Sequence, residues 1–167
     1  ERLRELDGAA LGKLNSRGYL QPIYMVIASL SHFRDLIDRR NRRLVAGIGG
    51  PSLRRVIKLG RAAIDAGAES LLVPAPFFFR YEQDDLRAYF AHVSSEVKAP
   101  CLLSDLPDFT NPILPPTVYS LLREEEHIVG IKDSSGQPEN IETFAAERQG
   151  DAWTLLVGDD RLLARGV

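Results

Sequence analysis

Short, nearly unbroken apolar runs recur along the chain, and the stretches between them carry apolar residues at helical spacing. The runs are Leu44 to Ile48, Ser70 to Val73, Cys101 to Leu103, Ile128 to Ile131 and Thr154 to Val157. Each is rich in Val, Ile and Leu and mostly continuous, the pattern of a strand covered on both faces. Between the first two, Leu53, Val56, Ile57, Gly60 and Ile64 fall at i, i+3, i+4, i+7 and i+11. That spacing predicts a helix entered through an N-cap at Ser52 and closed by Gly67. Leu86, Tyr89, Phe90 and Val93 repeat it behind an acidic start, Glu82 to Asp85. Pro115 and Pro116 open a helix with Val118, Leu121 and Leu122, and Pro138 opens another with Ile141, Phe144 and Ala145, because proline fits a first helical turn. Leu30, Phe33, Leu36 and Ile37 mark a helix ahead of the first strand, whereas residues 1–28 yield no element.

A helix followed by five βα pairs predicts parallel strands and an α/β fold. Two architectures fit that order, an open doubly wound sheet and a (β/α)8 barrel. A complete barrel typically takes about 250 residues, so the 167 residues of this chain could hold only part of one. The opening at Glu1, and a stop at Val167 just after a helix should begin, lead us to expect an incomplete chain.

Composition narrows the class. With 44% apolar and 26% charged residues and a formal net charge of −2, the chain reads as one soluble globular domain with a real core. A disordered tail, a collagen repeat and a disulfide scaffold are excluded. Cys101 is the only cysteine, which removes intramolecular disulfides and cysteine-built zinc sites. The apolar stretches stay far below the roughly 20 residues of a membrane helix. The charged opening from Glu1 to Asp7 is unlike a signal peptide. The expected location is therefore the cytoplasm, with no membrane partner.

Charge is uneven: residues 1–58 carry 12 Lys/Arg against 5 Asp/Glu, and residues 59–167 carry 9 against 18. The basic cluster Arg39, Arg40, Arg42 and Arg43 closes the helix expected before the first strand, where cations suit the negative pole of the helix dipole. No nucleic-acid partner is expected.

Ligands of parallel α/β folds gather at the carboxyl ends of strands. Those ends read Gly47-Ile-Gly-Gly-Pro51, Pro74-Ala-Pro-Phe-Phe-Phe79, Ser104-Asp-Leu-Pro107, Lys132-Asp-Ser-Ser-Gly136 and Gly158-Asp-Asp160. Lys132 stands out, because it follows an apolar run and should lie at the mouth of the sheet. An ammonium taken out of water tends to shed its proton, and a free amine is what Schiff-base chemistry with a carbonyl requires. The bland alternative is a lysine reaching solvent or paired with Asp133. Gly47, Gly49 and Gly50 lack the third glycine of a dinucleotide fingerprint, so tight packing and a phosphate site both stay open. Asp159 and Asp160 are either a carboxylate pair or a helix cap. Phe77 to Phe79 have no polar handle and suit a wall or an interface. His32, His92 and His127 lack ligand spacing, and no metal site is expected.

Taken together, these strand ends resemble the dihydrodipicolinate synthase / N-acetylneuraminate lyase family. The resemblance is carried by Gly130-Ile-Lys-Asp-Ser-Ser-Gly136, with Val45 to Gly50, Ala66 to Val73, Pro100 to Pro107 and Leu156 to Asp160 in the same order. It covers about residues 29–167 and leaves 1–28 unassigned. It implies a class I pyruvate aldolase on a (β/α)8 barrel, of which this chain covers about strands 3 to 7, commonly a homotetramer and here a tetramer or dimer. By the same resemblance Lys132 forms an imine with pyruvate or a related small 2-oxo acid, and no metal or organic cofactor is called for. The catalytic candidates are Lys132 and Ser104, and the substrate-binding candidates are Gly47, Phe78, Asp105, Gly158 and Asp159.

The sequence departs from that pattern at four points. Ser104 stands where the family usually has a proton-relaying tyrosine, Phe109 where the synthase tends to carry a carboxylate-binding arginine, and Phe77-Phe78 where paired tyrosines are usual. The Gly-Thr-Thr-Gly-Glu type loop is missing. The departures argue against dihydrodipicolinate synthase itself and imply either a lyase of other specificity or a barrel that has lost activity. A third reading, an unrelated open α/β protein holding a phosphorylated ligand at Gly47 to Gly50, gives Lys132 no special reactivity.

Overall fold

A computed structural model of the protein describes residues 8–17, 44–148 and 153–165. The chain divides into two compact units, Glu1–Arg42 and Arg43–Val167. The first contains a helix, α1 (Gly8–Ser16), in a stretch where the sequence pattern yields no element. Gly8 and Gly12 explain why, since each glycine costs a helix about 1 kcal/mol relative to alanine. The helix expected over Leu30 to Ile37, His32 and the cluster Arg39 to Arg43 lie outside the described residues.

The second unit follows the expected alternation. Its elements are β1 (Val45–Gly47), α2 (Leu53–Asp65), β2 (Ser70–Pro74), α3 (Gln83–Val97), β3 (Cys101–Asp105), α4 (Pro115–Glu124), β4 (Ile128–Asp133), α5 (Pro138–Glu147) and β5 (Thr154–Val157), followed by a 3-10 turn over Asp160–Arg165. Local chemistry accounts for the helix ends. Ser52 occupies the N-cap of α2 without a side-chain bond, and Gly67 just beyond its end takes φ +99°, a conformation that favours glycine. Pro115 and Pro138 each begin a helix. The backbone N–H of Glu82 donates to Asp85 at 3.2 Å at the start of α3.

All strand pairs are parallel, and the sheet order is β1-β2-β3-β4-β5. A doubly wound sheet reverses its order at a switch point; this one never reverses. Right-handed crossovers between sequential neighbours put every connecting helix on one face. The unit is thus an arc of a (β/α)8 barrel.

The core lies between that face and the helices. Leu71, Val73, Leu103 and Ile131 from the strands pack with Val56, Leu86, Phe90, Val118, Leu121 and Phe144 from the helices, all buried. Burial of one such side chain is worth about 1.5–3 kcal/mol. Phe144 also meets Tyr119 and Trp153 edge-on, at centroid distances of 5.9 and 6.4 Å.

One irregularity decides which way β4 presents its residues. Cys101 pairs with Ile128, but Leu102 pairs with Gly130, so Val129 is an extra residue in β4. Side chains alternate faces along a strand, and one inserted residue restores parity only by skipping. With Val129 bulged, Ile128, Ile131 and Asp133 share the helix-covered face, and Gly130 and Lys132 share the other. Without the bulge Lys132 would turn into the helix-packed core.

Candidate active site

On the helix-free face the register sets side chains in rows. Pro74, Ser104, Lys132 and Leu156 are successive partners across β2, β3, β4 and β5. The row behind it contains Gly47, Leu72, Leu102, Gly130 and Thr154. Neighbouring strands lie about 4.8 Å apart, so the Ser104 hydroxyl and the Lys132 side chain stand side by side. Ser104 is 1% exposed, and its Oγ has no hydrogen-bond partner among the described residues. A buried hydroxyl left in that state costs free energy unless something accepts or donates to it. Lys132 is half-buried.

Gly130 makes this packing possible. A Cβ there would run into the carbonyl oxygen of Thr154 and come within 2.9 Å of Leu102 Cδ2. Only glycine lets β5 approach β4 beside the lysine. Gly158 does the same at the strand end: its N–H donates to the Asp133 carbonyl at 2.6 Å, and a Cβ would strike Ser134 Oγ. Close approach of backbone is thus the role the geometry gives to Gly158.

Asp105, expected among the substrate-contacting residues, points the other way. It pairs with Asp133, and both lie on the helix-covered face, 2% and 1% exposed. Asp105 Oδ1 accepts the Ile113 N–H at 3.0 Å. Asp133 Oδ1 accepts the N–H and hydroxyl of Ser135 at 2.8 and 2.7 Å. Burial pushes the Asp105 carboxyl up to about 6; the Ile113 N–H opposes this shift and the neighbouring Asp133 adds to it.

Asp159 ties down the chain after β5. It accepts the Arg161 backbone N–H at 3.0 Å, and the Arg161 guanidinium holds both its oxygens at 3.0 and 2.7 Å. Hydrogen bonds from Arg161 hold this carboxyl below the usual range. The capping alternative is therefore the one seen. Gly47 lies on β1, in the row behind that of Lys132 and several strands away.

Phe78 is 81% exposed with φ +77°, and Phe79 is similarly open. Together with Phe109 and Tyr81 they line a cavity of about 560 Å³ at the rim, which does not include Lys132. The loop bearing them is held by Asn111, a residue the sequence reading passed over. Asn111 Nδ2 donates to the carbonyls of Pro76 and Phe79 at 2.7 and 2.8 Å, and its Oδ1 accepts the Tyr81 N–H at 3.0 Å. The Asn-Pro dipeptide at 111–112 is the turn signal that marks it.

Comparison with known proteins agrees with the barrel arc. The chain is 32% identical over 130 residues to a 4-hydroxy-tetrahydrodipicolinate synthase of Methanopyrus kandleri, covering 76% of this chain and 43% of that one. It is 26% identical over 141 residues to a 2-dehydro-3-deoxy-D-gluconate/2-dehydro-3-deoxy-phosphogluconate aldolase of Picrophilus torridus, covering 84% and 53%. The pyruvate complex of YagE, a prophage protein of the dihydrodipicolinic acid synthase family from E. coli K12, superposes with a TM-score of 0.71 at 28% identity, covering 79% of this chain and 46% of that one. The chain thus spans about half the length, or less, of these relatives. A family model described as SapC matches residues 1–36, which include the stretch 1–28. The model of the dihydrodipicolinate synthetase family matches residues 30–167, and the chain belongs to that family.

Proposed function

We propose that this protein is a class I lyase or aldolase in which the Lys132 amine forms an imine with pyruvate or a related 2-oxo acid. The observation that carries this reading is the row on the helix-free face: Lys132 in register beside Ser104, whose buried hydroxyl has no protein partner among the described residues. The relatives' activities support the same class, as a synthase, an aldolase and a pyruvate-binding protein.

The chemistry follows from the amine. Lys132 Nζ attacks the keto carbon, the carbonyl oxygen leaves as water, and a protonated imine remains. That imine withdraws electrons from the adjacent carbon, so a C–H proton or a C–C bond there is lost more readily. The resulting enamine adds to an aldehyde, or in reverse an aldehyde departs, and hydrolysis regenerates the amine. Each step moves a proton, and the Ser104 hydroxyl is the group positioned beside the amine to carry it. A serine is shorter and less acidic than a phenol. Phe109 and Phe78 also lie far out on the surface as apolar groups. The accepted partner therefore differs from that of a dihydrodipicolinate synthase.

Exchange of the pyruvate methyl protons in deuterated water tests this reading. An active site of this kind speeds the exchange, and longer 2-oxo acids compared in the same assay rank its preference. A protein that is folded yet exchanges no 2-oxo acid is a degenerate barrel.

A further inference from the structure

Lys132 and Ser104 are flanked on the opposite face of the same two strands by a buried pair of carboxyls. Asp105 and Asp133 are register partners on β3 and β4, project to the same side and are all but sealed from water. Two carboxylates paired across adjacent strands in an apolar setting cannot both stay charged without great cost. Their oxygens are also unequally served. Asp105 Oδ1 accepts the Ile113 N–H, and Asp133 Oδ1 accepts twice from Ser135. Asp133 Oδ2 has no partner among the described residues.

We propose that Asp105 and Asp133 share one proton, the Asp105 hydroxyl donating to Asp133 Oδ2, and that this pair positions the two loops beside Lys132. One loop runs from Leu106 to Ile113 and is fastened through the Ile113 N–H. The other begins at Ser134, whose N–H donates to the Asp105 carbonyl at 3.0 Å, and continues through Ser135. Ionisation of both acids would drive the ends of β3 and β4 apart, at the residues next to Ser104 and Lys132. The effect on the reaction rests on the Schiff-base reading, whereas the shared proton does not.

Among the described residues packed against it, Asp105 is the group raised into the mildly acidic range. The buried faces of α3, α4 and α5 contribute Leu86, Phe90, Val93, Ser94, Val97, Thr117, Val118, Leu121, Ile141 and Phe144, none of them titratable there. Tyr89, Tyr119 and Cys101 pack on the same core, but burial raises the first and last to about 12 and Tyr119 also upward. Lys132 lies across the sheet, and Asp133 is the charged group that acts on Asp105.

Unfolding by denaturant across pH tests the proposal on the full chain, with infrared spectra of the carboxyl stretch alongside. The wild type should lose stability as pH rises through about 6, and a protonated-carboxyl band should fade over the same range. Asp105→Asn keeps a donor for Asp133 and an acceptor for Ile113, and should abolish both changes. Asp133→Asn should move the transition to lower pH. Lys132→Ala should leave the transition where it is, even though it removes any imine, so the two readings fail separately. A wild type whose stability runs parallel to that of Asp105→Asn, or whose spectrum lacks a protonated carboxyl below that range, would overturn the proposal.

Discussion

Ser104 and Lys132 are register partners on adjacent parallel strands, and the bulge at Val129 brings Lys132 to the helix-free face on which the alternation of β3 already sets Ser104. If the serine hydroxyl carries protons for the lysine-bound intermediate, Ser104→Ala should form the imine but process it poorly. General acid–base help is worth about 10²–10⁴-fold, and the methyl-proton exchange rate should fall by an amount in that range. Because only one buried hydroxyl is removed, the fold should keep its thermal midpoint within a few degrees. An exchange rate equal to wild type would remove Ser104 from the mechanism.

Gly130→Ala tests the close approach of β5. The added Cβ meets the Thr154 carbonyl oxygen and Leu102, and backbone cannot swing aside as a side-chain tip can. Overpacking of this kind costs about 1–3 kcal/mol, and we expect the upper end, read as a lowered denaturant midpoint. The neighbouring lysine should lose reactivity in step.

Asn111→Ala should loosen the aromatic rim while leaving the strands intact. It removes three hydrogen bonds that hold the backbone of Pro76, Phe79 and Tyr81. At about 0.5–1.5 kcal/mol each the loss is about 1.5–4.5 kcal/mol. Limited proteolysis should then cut first within the exposed Phe78 to Tyr81 segment, where wild type resists.

The pH dependence has a defined sign. Asp105 is raised from 3.8 to about 6 in the folded protein, so the folded state keeps a proton that the unfolded state releases. That contribution is fully present below the unfolded value and is lost as pH rises through about 6. A shift of about two units corresponds to about 3 kcal/mol, to be read as the difference between wild type and Asp105→Asn. A difference that grows toward low pH in favour of wild type fits; the opposite slope does not.

Much of this was legible in the residues. The five apolar runs became the five strands because strands covered on both faces carry no alternation to confuse them. Pro115, Pro138 and Gly67 mark helix ends by fixed backbone preferences, and they held their places. The choice between barrel and open sheet was not legible, since strand order depends on contacts distant in sequence. Nor was the bulge: Val129 looks like any residue of an apolar run, and only the pairing with β3 shows it to be extra. The bulge also sets Asp133 on the helix-covered face, whereas Asp105 reaches that face by the plain alternation of β3. Position at a strand end suggested that Asp105 faces ligand, whereas parity across the sheet buries it against Asp133. For Asp159, the partner Arg161 lies two residues away, and the capping alternative was visible from the start.

The most direct test of the account is borohydride reduction in the presence of pyruvate, read by intact mass and peptide mapping. The account predicts a reduced pyruvate adduct on the peptide containing Lys132, absent from Lys132→Ala. A folded protein that gives no adduct with pyruvate or longer 2-oxo acids, or an adduct on another lysine that persists in Lys132→Ala, would contradict it.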